Sequence, residues 1–329
     1  MFAALNSFQT GGAVPVYVSE VFSTNLYTGT QATQTITNGI DLSGKGGLVW
    51  LKSRSNATNN YVYDTDRGLN RLITNAANGG FSLTDGLSSF NASGFSLGND
   101  ATAGQVNVSG NTYVSWTFRK QPKFFDVVTW TGDGANRTIP HNLGSVPGCI
   151  IVKRTDSTEQ DWNVYHQSIG NTFRTILNFT VQPADIGTAC WNATNPTSTV
   201  FSLGTNSGVN ASGGTYVAYL FAHDAGGFGL SGTDNIISCG SATVVSNSAT
   251  VTLGYQPQFV LFKSVSSTPE NWFIVDSQRG FPVSGLDNLL CPNLSNQEGT
   301  GYYISPTSTG FNFTGAPNYT YIYIAIKAS

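Results

Sequence analysis

Gly148-Cys149-Ile150-Ile151-Val152-Lys153-Arg154 is a short apolar run, rich in β-branched residues and ended by a lysine. Such a run suits a buried central strand. The pattern recurs as Gly47-Leu48-Val49-Trp50-Leu51-Lys52-Ser53 and as Gln258-Phe259-Val260-Leu261-Phe262-Lys263-Ser264. About ten residues on, each copy has a second strand signal: Asn60-Tyr61-Val62-Tyr63-Asp64, Trp162-Asn163-Val164-Tyr165-His166 and Trp272-Phe273-Ile274-Val275-Asp276. A third shared piece covers residues 94–98, 200–204 and 310–314. The last is Thr112-Tyr113-Val114-Ser115-Trp116, matched by Thr215-Tyr216-Val217-Ala218-Tyr219 and Thr320-Tyr321-Ile322-Tyr323-Ile324. The separations Lys52 to Tyr113, Lys153 to Tyr216 and Lys263 to Tyr321 are nearly equal. Four signatures in one order at near-constant spacing indicate a repeated unit.

With Gly, Ser, Asn and Asp clusters between short strands and no convincing helix, the expected fold is all-β. It consists of three tandem homologous antiparallel β-sandwich domains, with a jelly-roll-like arrangement among the options, and an extended N-terminal arm. The divisions are 1–20 for the arm, then 21–120, 121–225 and 226–329. Joints fall at Phe118 to Lys123, which carries Arg, Lys and Pro, and at the glycine-rich stretch Ala225 to Gly232. Val14-Pro15-Val16-Tyr17-Val18 reads as an edge strand, either of an arm that anchors on another chain by strand addition or, as a terminal strand, of its own domain.

Composition narrows the field. Only 10% of the 329 residues are charged, against about a quarter in an average domain, which disfavours helical bundles and coiled coils. A content of 40% hydrophobic and 12% aromatic residues excludes intrinsic disorder. With 15 basic and 18 acidic residues there is no electrostatic footprint for nucleic acid. No run approaches the roughly 20 apolar residues of a membrane helix, so membrane insertion is not expected. The N-terminus does not read as a signal peptide. Cys149, Cys190, Cys239 and Cys291 form no CxxC pair, which fits synthesis in a reducing compartment, and Cys149 reads as a buried free thiol.

Chemistry is sparse. Glu20, Glu159, Glu270 and Glu298 each stand alone, without the second carboxyl that glycoside hydrolysis needs. Asp64 and Asp66 open the turn Asp64-Thr65-Asp66-Arg67-Gly68, which recurs as Asp276-Ser277-Gln278-Arg279-Gly280; the middle copy has His166-Gln167-Ser168-Ile169-Gly170. An Asp capping its own turn and pairing with the Arg accounts for the recurrence. In the functional reading, Asp64, Arg67, Asp276 and Arg279 are surface-contact candidates for a receptor. Among His141, His166 and His223 only His223 has an acid beside it, Asp224, so no metal site is expected. His141 lies in a turn and is expected to be exposed. Gly94-Phe95-Ser96-Leu97-Gly98 spells GxSxG without the helix that a nucleophile elbow requires. Gly44-Lys45-Gly46-Gly47 lacks the spacing of a phosphate loop. Lys52, Lys153 and Lys263 are expected to pack their stems and snorkel outward. No catalytic residue, cofactor or metal is expected, and the chain does not read as an enzyme.

The pattern resembles a repeated β-domain found in tail-fibre-like and other virion proteins of tailed bacteriophages, notably those of marine cyanobacteria. The likeness is carried by residues 48–54, 63–68, 90–98 and 112–116, and in the second unit by His141-Asn142-Leu143-Gly144, Ile150-Ile151-Val152-Lys153 and residues 161–166. The resemblance implies a structural protein of a bacteriophage virion, made in the host cytoplasm. A tail-fibre or attachment role at the host surface leads, with capsid decoration as head fibre as the alternative, and a carbohydrate-binding or carbohydrate-degrading protein as a further one. The implied partners are other virion proteins through residues 1–20, further copies in a homo-oligomer, and a host-surface glycan or protein receptor.

Overall fold

The computed structural model describes residues 14–329 apart from 84, 103–104, 282–285 and 302–303. The fold is all-β and antiparallel, as the alternation of short strands and turn clusters requires; 46% of residues are in strands. Among the described residues helix is limited to single turns such as Leu42–Lys45, capped by Asp41 on the Gly44 amide, and Ser207–Asn210, capped by Asn206.

One connectivity recurs three times. In the first set a large sheet has the order Phe22–Thr28, Thr112–Arg119, Gly47–Ser53, Tyr61–Asp64, Gly68–Ile73, Phe81–Ser82. A small sheet beside it holds Gln34–Thr37, Gly94–Leu97 and Leu87–Asn91. The second set repeats the large sheet as Phe125–Thr131, Thr215–Ala222, Pro147–Arg154, Asn163–His166, Phe173–Ile176 and Ala184–Asp185. The third repeats it as Ile237–Thr243, Thr320–Lys327, Pro257–Ser264 and Trp272–Asp276. Registers agree as well: Lys52 faces Val114, Lys153 faces Val217 and Lys263 faces Ile322. A jelly roll would send the fourth strand to the opposite sheet. Here it turns back beside the third strand as a hairpin, so each large sheet grows at the expense of the small one.

The lysine-ended strands are buried on both faces, which is why they read as continuous apolar runs. Val49 and Leu51 face the small sheet in a local core with Ile36, Phe95 and Leu97. Leu48 and Trp50 face the other way, into a core shared with Ile150, Val152, Phe259 and Leu261 of the other two sets. The three large sheets therefore pack against one another through their inner faces.

The joints are packed: Phe118, Phe124, Phe125 and Phe228 are buried, with Phe118 and Phe125 rings 5.3 Å apart. One expectation changes here. The described part of the expected arm, 14–20, lies on its own chain and is not a strand. Pro15 has no N–H to pair, and the Glu20 carboxylate accepts from the Tyr17 amide at 2.7 Å, so the chain turns through Val18–Glu20. Val18 and Val21 enter the shared core, and the Val16 carbonyl accepts from Gly229. Residues 1–13 of the arm lie outside the described residues.

Candidate functional site

Equivalent residues of the three sets meet in a cyclic series of contacts. Lys52 Nζ donates to the Thr58 carbonyl of its own hairpin loop and, at 3.0 Å, to the Ser295 carbonyl of the third set. Lys153 Nζ donates to the Gln160 carbonyl and, at 2.6 Å, to the Ala77 carbonyl of the first set. Lys263 Nζ donates to the Glu270 carbonyl and, at 3.2 Å, to the Thr180 carbonyl of the second set. The expectation of snorkelling fails: all three side chains are fully buried, because each loop offers its carbonyls to the ammonium. Burial pulls each amine down to about 8.

The hairpin strands repeat the handover. Trp162 Nε1 donates to the Ile73 carbonyl at 2.9 Å, Trp272 Nε1 to the Ile176 carbonyl at 2.9 Å, and Asn60 Nδ2 to the Cys291 carbonyl at 3.1 Å. Asn75, Asn178 and Asn293 each accept from the amide that opens that strand. Each of these asparagines is a single residue inside otherwise dissimilar loops, too weak a signal to stand out in the sequence.

The recurrent turn lies at the same junctions. Asp64 accepts from the Arg67 amide at 2.9 Å and from Arg67 Nε at 2.7 Å; Asp276 does the same with Arg279, at 3.0 and 2.6 Å. Each carboxylate takes a further donor from a neighbouring set, Tyr219 Oη on Asp64 at 2.8 Å and Trp116 Nε1 on Asp276 at 2.9 Å. His166 fills the third such position. Its Nδ1 accepts from the Ser168 amide, which assigns the proton to Nε2 for donation to the Tyr323 carbonyl at 3.1 Å. Burial holds this imidazole down at about 4, so it is neutral at physiological pH.

As receptor contacts, three of the four candidates are therefore displaced: Asp64, Asp276 and Arg279 are buried, consumed by structural hydrogen bonds. Only Arg67 borders open space. His141 is also buried rather than exposed, accepting from the Leu143 amide and stacking near Phe201. Ser96 lies in a strand with its hydroxyl between Thr35 and Asn91, far from any nucleophile geometry. Cys149, Cys190, Cys239 and Cys291 are free thiols, and burial pushes each of them up, which disfavours the reactive thiolate.

Glu298, expected to stand alone, joins Arg54 at 2.8 Å and Arg279 at 3.2 Å across the junction of the first and third sets. The matching place between the first and second sets is a groove of about 360 Å³ lined by Arg67, Asn70, Gly80 and Thr155. It runs into a second depression of about 400 Å³ beside Asp66, Trp130, Thr131 and Thr215.

Fold and site together define an all-β scaffold of three sandwich sets locked by buried polar contacts, with an open groove at one junction. The chain belongs to the family described as a domain of unknown function (DUF7483), whose model matches residues 17–328. No curated protein matches the sequence. Among the described residues no helix is long and apolar enough to cross a membrane.

Proposed function

We propose that this protein is a non-enzymatic structural component of a bacteriophage particle, of the tail-fibre or attachment type, whose surface contacts the host envelope. The observation that carries this reading is the fate of the recurrent acids. Asp64 and Asp276, the acids that open the recurrent turn, are each held by an arginine and by a tyrosine or tryptophan donor. Contacts of this kind fix geometry, as expected of a scaffold. What remains exposed is charge-poor and rich in hydroxyl and amide groups, suited to neutral hydrogen bonding with sugars. The phage-type resemblance of residues 48–54, 63–68 and 90–98 supplies the setting.

Antibodies raised against the purified chain test the placement. Labelling of tail fibres on purified particles, together with binding of the purified protein to host cells, is the expected result. Labelling confined to heads would favour capsid decoration, and particles without label would end the virion reading.

A further inference from the structure

The two arginines of the recurrent turn differ in one respect that the fold makes comparable. Every N–H arm of Arg279 is engaged: Nε with Asp276, Nη2 with the Ile274 carbonyl, and Nη1 with the Asn288 carbonyl and Glu298. Arg67 repeats the first contact, and its Nη2 reaches Asp64 and Tyr219. Its Nη1 has no hydrogen-bond partner among the described residues, although the side chain is only 8% exposed. A buried guanidinium nitrogen without an acceptor is costly, and such groups mark sites completed by something else.

The chain itself shows what completes the site. The Glu298 amide donates to the Arg54 carbonyl, and the Gly80 amide donates to the Thr155 carbonyl in the same way. Counting from Asn75 and Asn293, whose contacts are equivalent, also brings Gly80 onto Glu298. Gly80 thus occupies the position from which Glu298 reaches its arginine, and it has no side chain to send. A Cβ built on Gly80 would stand 3.5 Å from Arg67 Nη1, 3.6 Å from the Thr155 carbonyl oxygen and 3.7 Å from Leu72 Cδ2, all ordinary contacts, so a side chain can start there without a clash.

We propose that the groove at the junction of the first and second sets binds a carboxylated sugar, whose carboxylate takes on Arg67 the place that Glu298 takes on Arg279. A guanidinium edge presents paired donors to a carboxylate. The neighbouring walls carry the hydroxyls of Thr129, Thr131, Thr155 and Thr215 and the flank of Trp130, partners for sugar hydroxyls and a pyranose face. Asp66 on the same rim is paired with Lys120 at 3.0 Å, so its charge is largely balanced toward a single carboxylate on a neutral ring. This inference rests on the attachment reading and names the ligand class for it.

Arg67→Ala would also break the buried pair with Asp64, so the informative variant is Gly80→Glu, which supplies the missing carboxylate from the protein itself. NMR titration of the full chain with glucuronate follows the Trp130 indole N–H and the Arg67 Nε–H. Glucose, glucuronate methyl ester and hexaglutamate serve as comparisons. Glucuronate is expected to give saturable shifts, the two uncharged sugars at least tenfold weaker binding, and Gly80→Glu no binding with its melting temperature retained. No saturable shift with glucuronate, equal shifts in Gly80→Glu, or binding of hexaglutamate alone would overturn the proposal. Host-cell binding by wild type and by Gly80→Glu separates the two readings. Equal binding by both removes the groove and keeps attachment, whereas glucuronate binding without cell binding keeps the groove and removes attachment.

Discussion

Lys153 shows how a residue can be legible while its role is not. Its recurrence with Lys52 and Lys263 is plain in the sequence, but its cross-junction acceptor, the Ala77 carbonyl, comes from a loop far away in the chain. Loop carbonyls carry no sequence signature. Because the folded amine lies near 8, below its ordinary 10.5, the unfolded chain holds more protons between pH 8 and 10.5. Stability therefore rises with pH across that window, by up to ~1.4 kcal/mol per pH unit for each lysine. Lys153→Met is expected to lose its share of this gain, seen as a smaller difference from urea unfolding at pH 8 and 9.5 than in wild type. Asp287 has the opposite sign. Burial pushes its carboxyl up to about 8, so the folded state holds the extra proton above pH 4. Its contribution is full below pH 4 and lost as pH rises through 8. Asp287→Asn, which mimics the protonated acid, should match wild type near pH 4 and melt at a higher temperature at pH 8.

At the level of strands, the central lysine-ended runs were readable because burial on both faces leaves a continuous apolar signature. The segment 14–18 misled for a physical reason: its alternation is strand-like, but Pro15 and the Glu20 carboxylate turn it onto the Gly229 loop. At the first joint, composition gives no sign that Phe118, Phe124 and Phe125 are buried in the shared core. The hairpin tryptophans give a sharp test. Trp272→Phe keeps most of the packing and removes the donor to the Ile176 carbonyl, which should cost about 1–3 kcal/mol in urea unfolding. A loss near zero would mean that the handover between sets is incidental.

For the whole molecule, the cyclic contacts and the shared inner core predict joint behaviour. Leu48, Ile150 and Phe259 belong to one apolar cluster, so no set buries its inner face alone. Thermal unfolding of the full chain should be a single transition by both near- and far-UV circular dichroism. The isolated fragment 121–225 should lack a cooperative transition; a sigmoidal melt of that fragment would show that the sets are autonomous. None of this cohesion was visible in the repeat pattern, which reports similarity between copies and says nothing of their mutual packing. The groove beside Arg67 was hidden for a related reason: it exists only where two sets meet, and its distinguishing residue is a glycine.

The enclosed ammonium groups have a practical corollary. A reagent that acylates primary amines finds Lys45 and Lys123 in contact with solvent, and Lys120 and Lys327 partly so, while Lys52, Lys153 and Lys263 are sealed between neighbours. Uptake of label at the latter three, read by peptide mass mapping, would register the moments when the sandwiches part company. Ordinary surface chemistry thereby becomes a gauge of breathing in this scaffold.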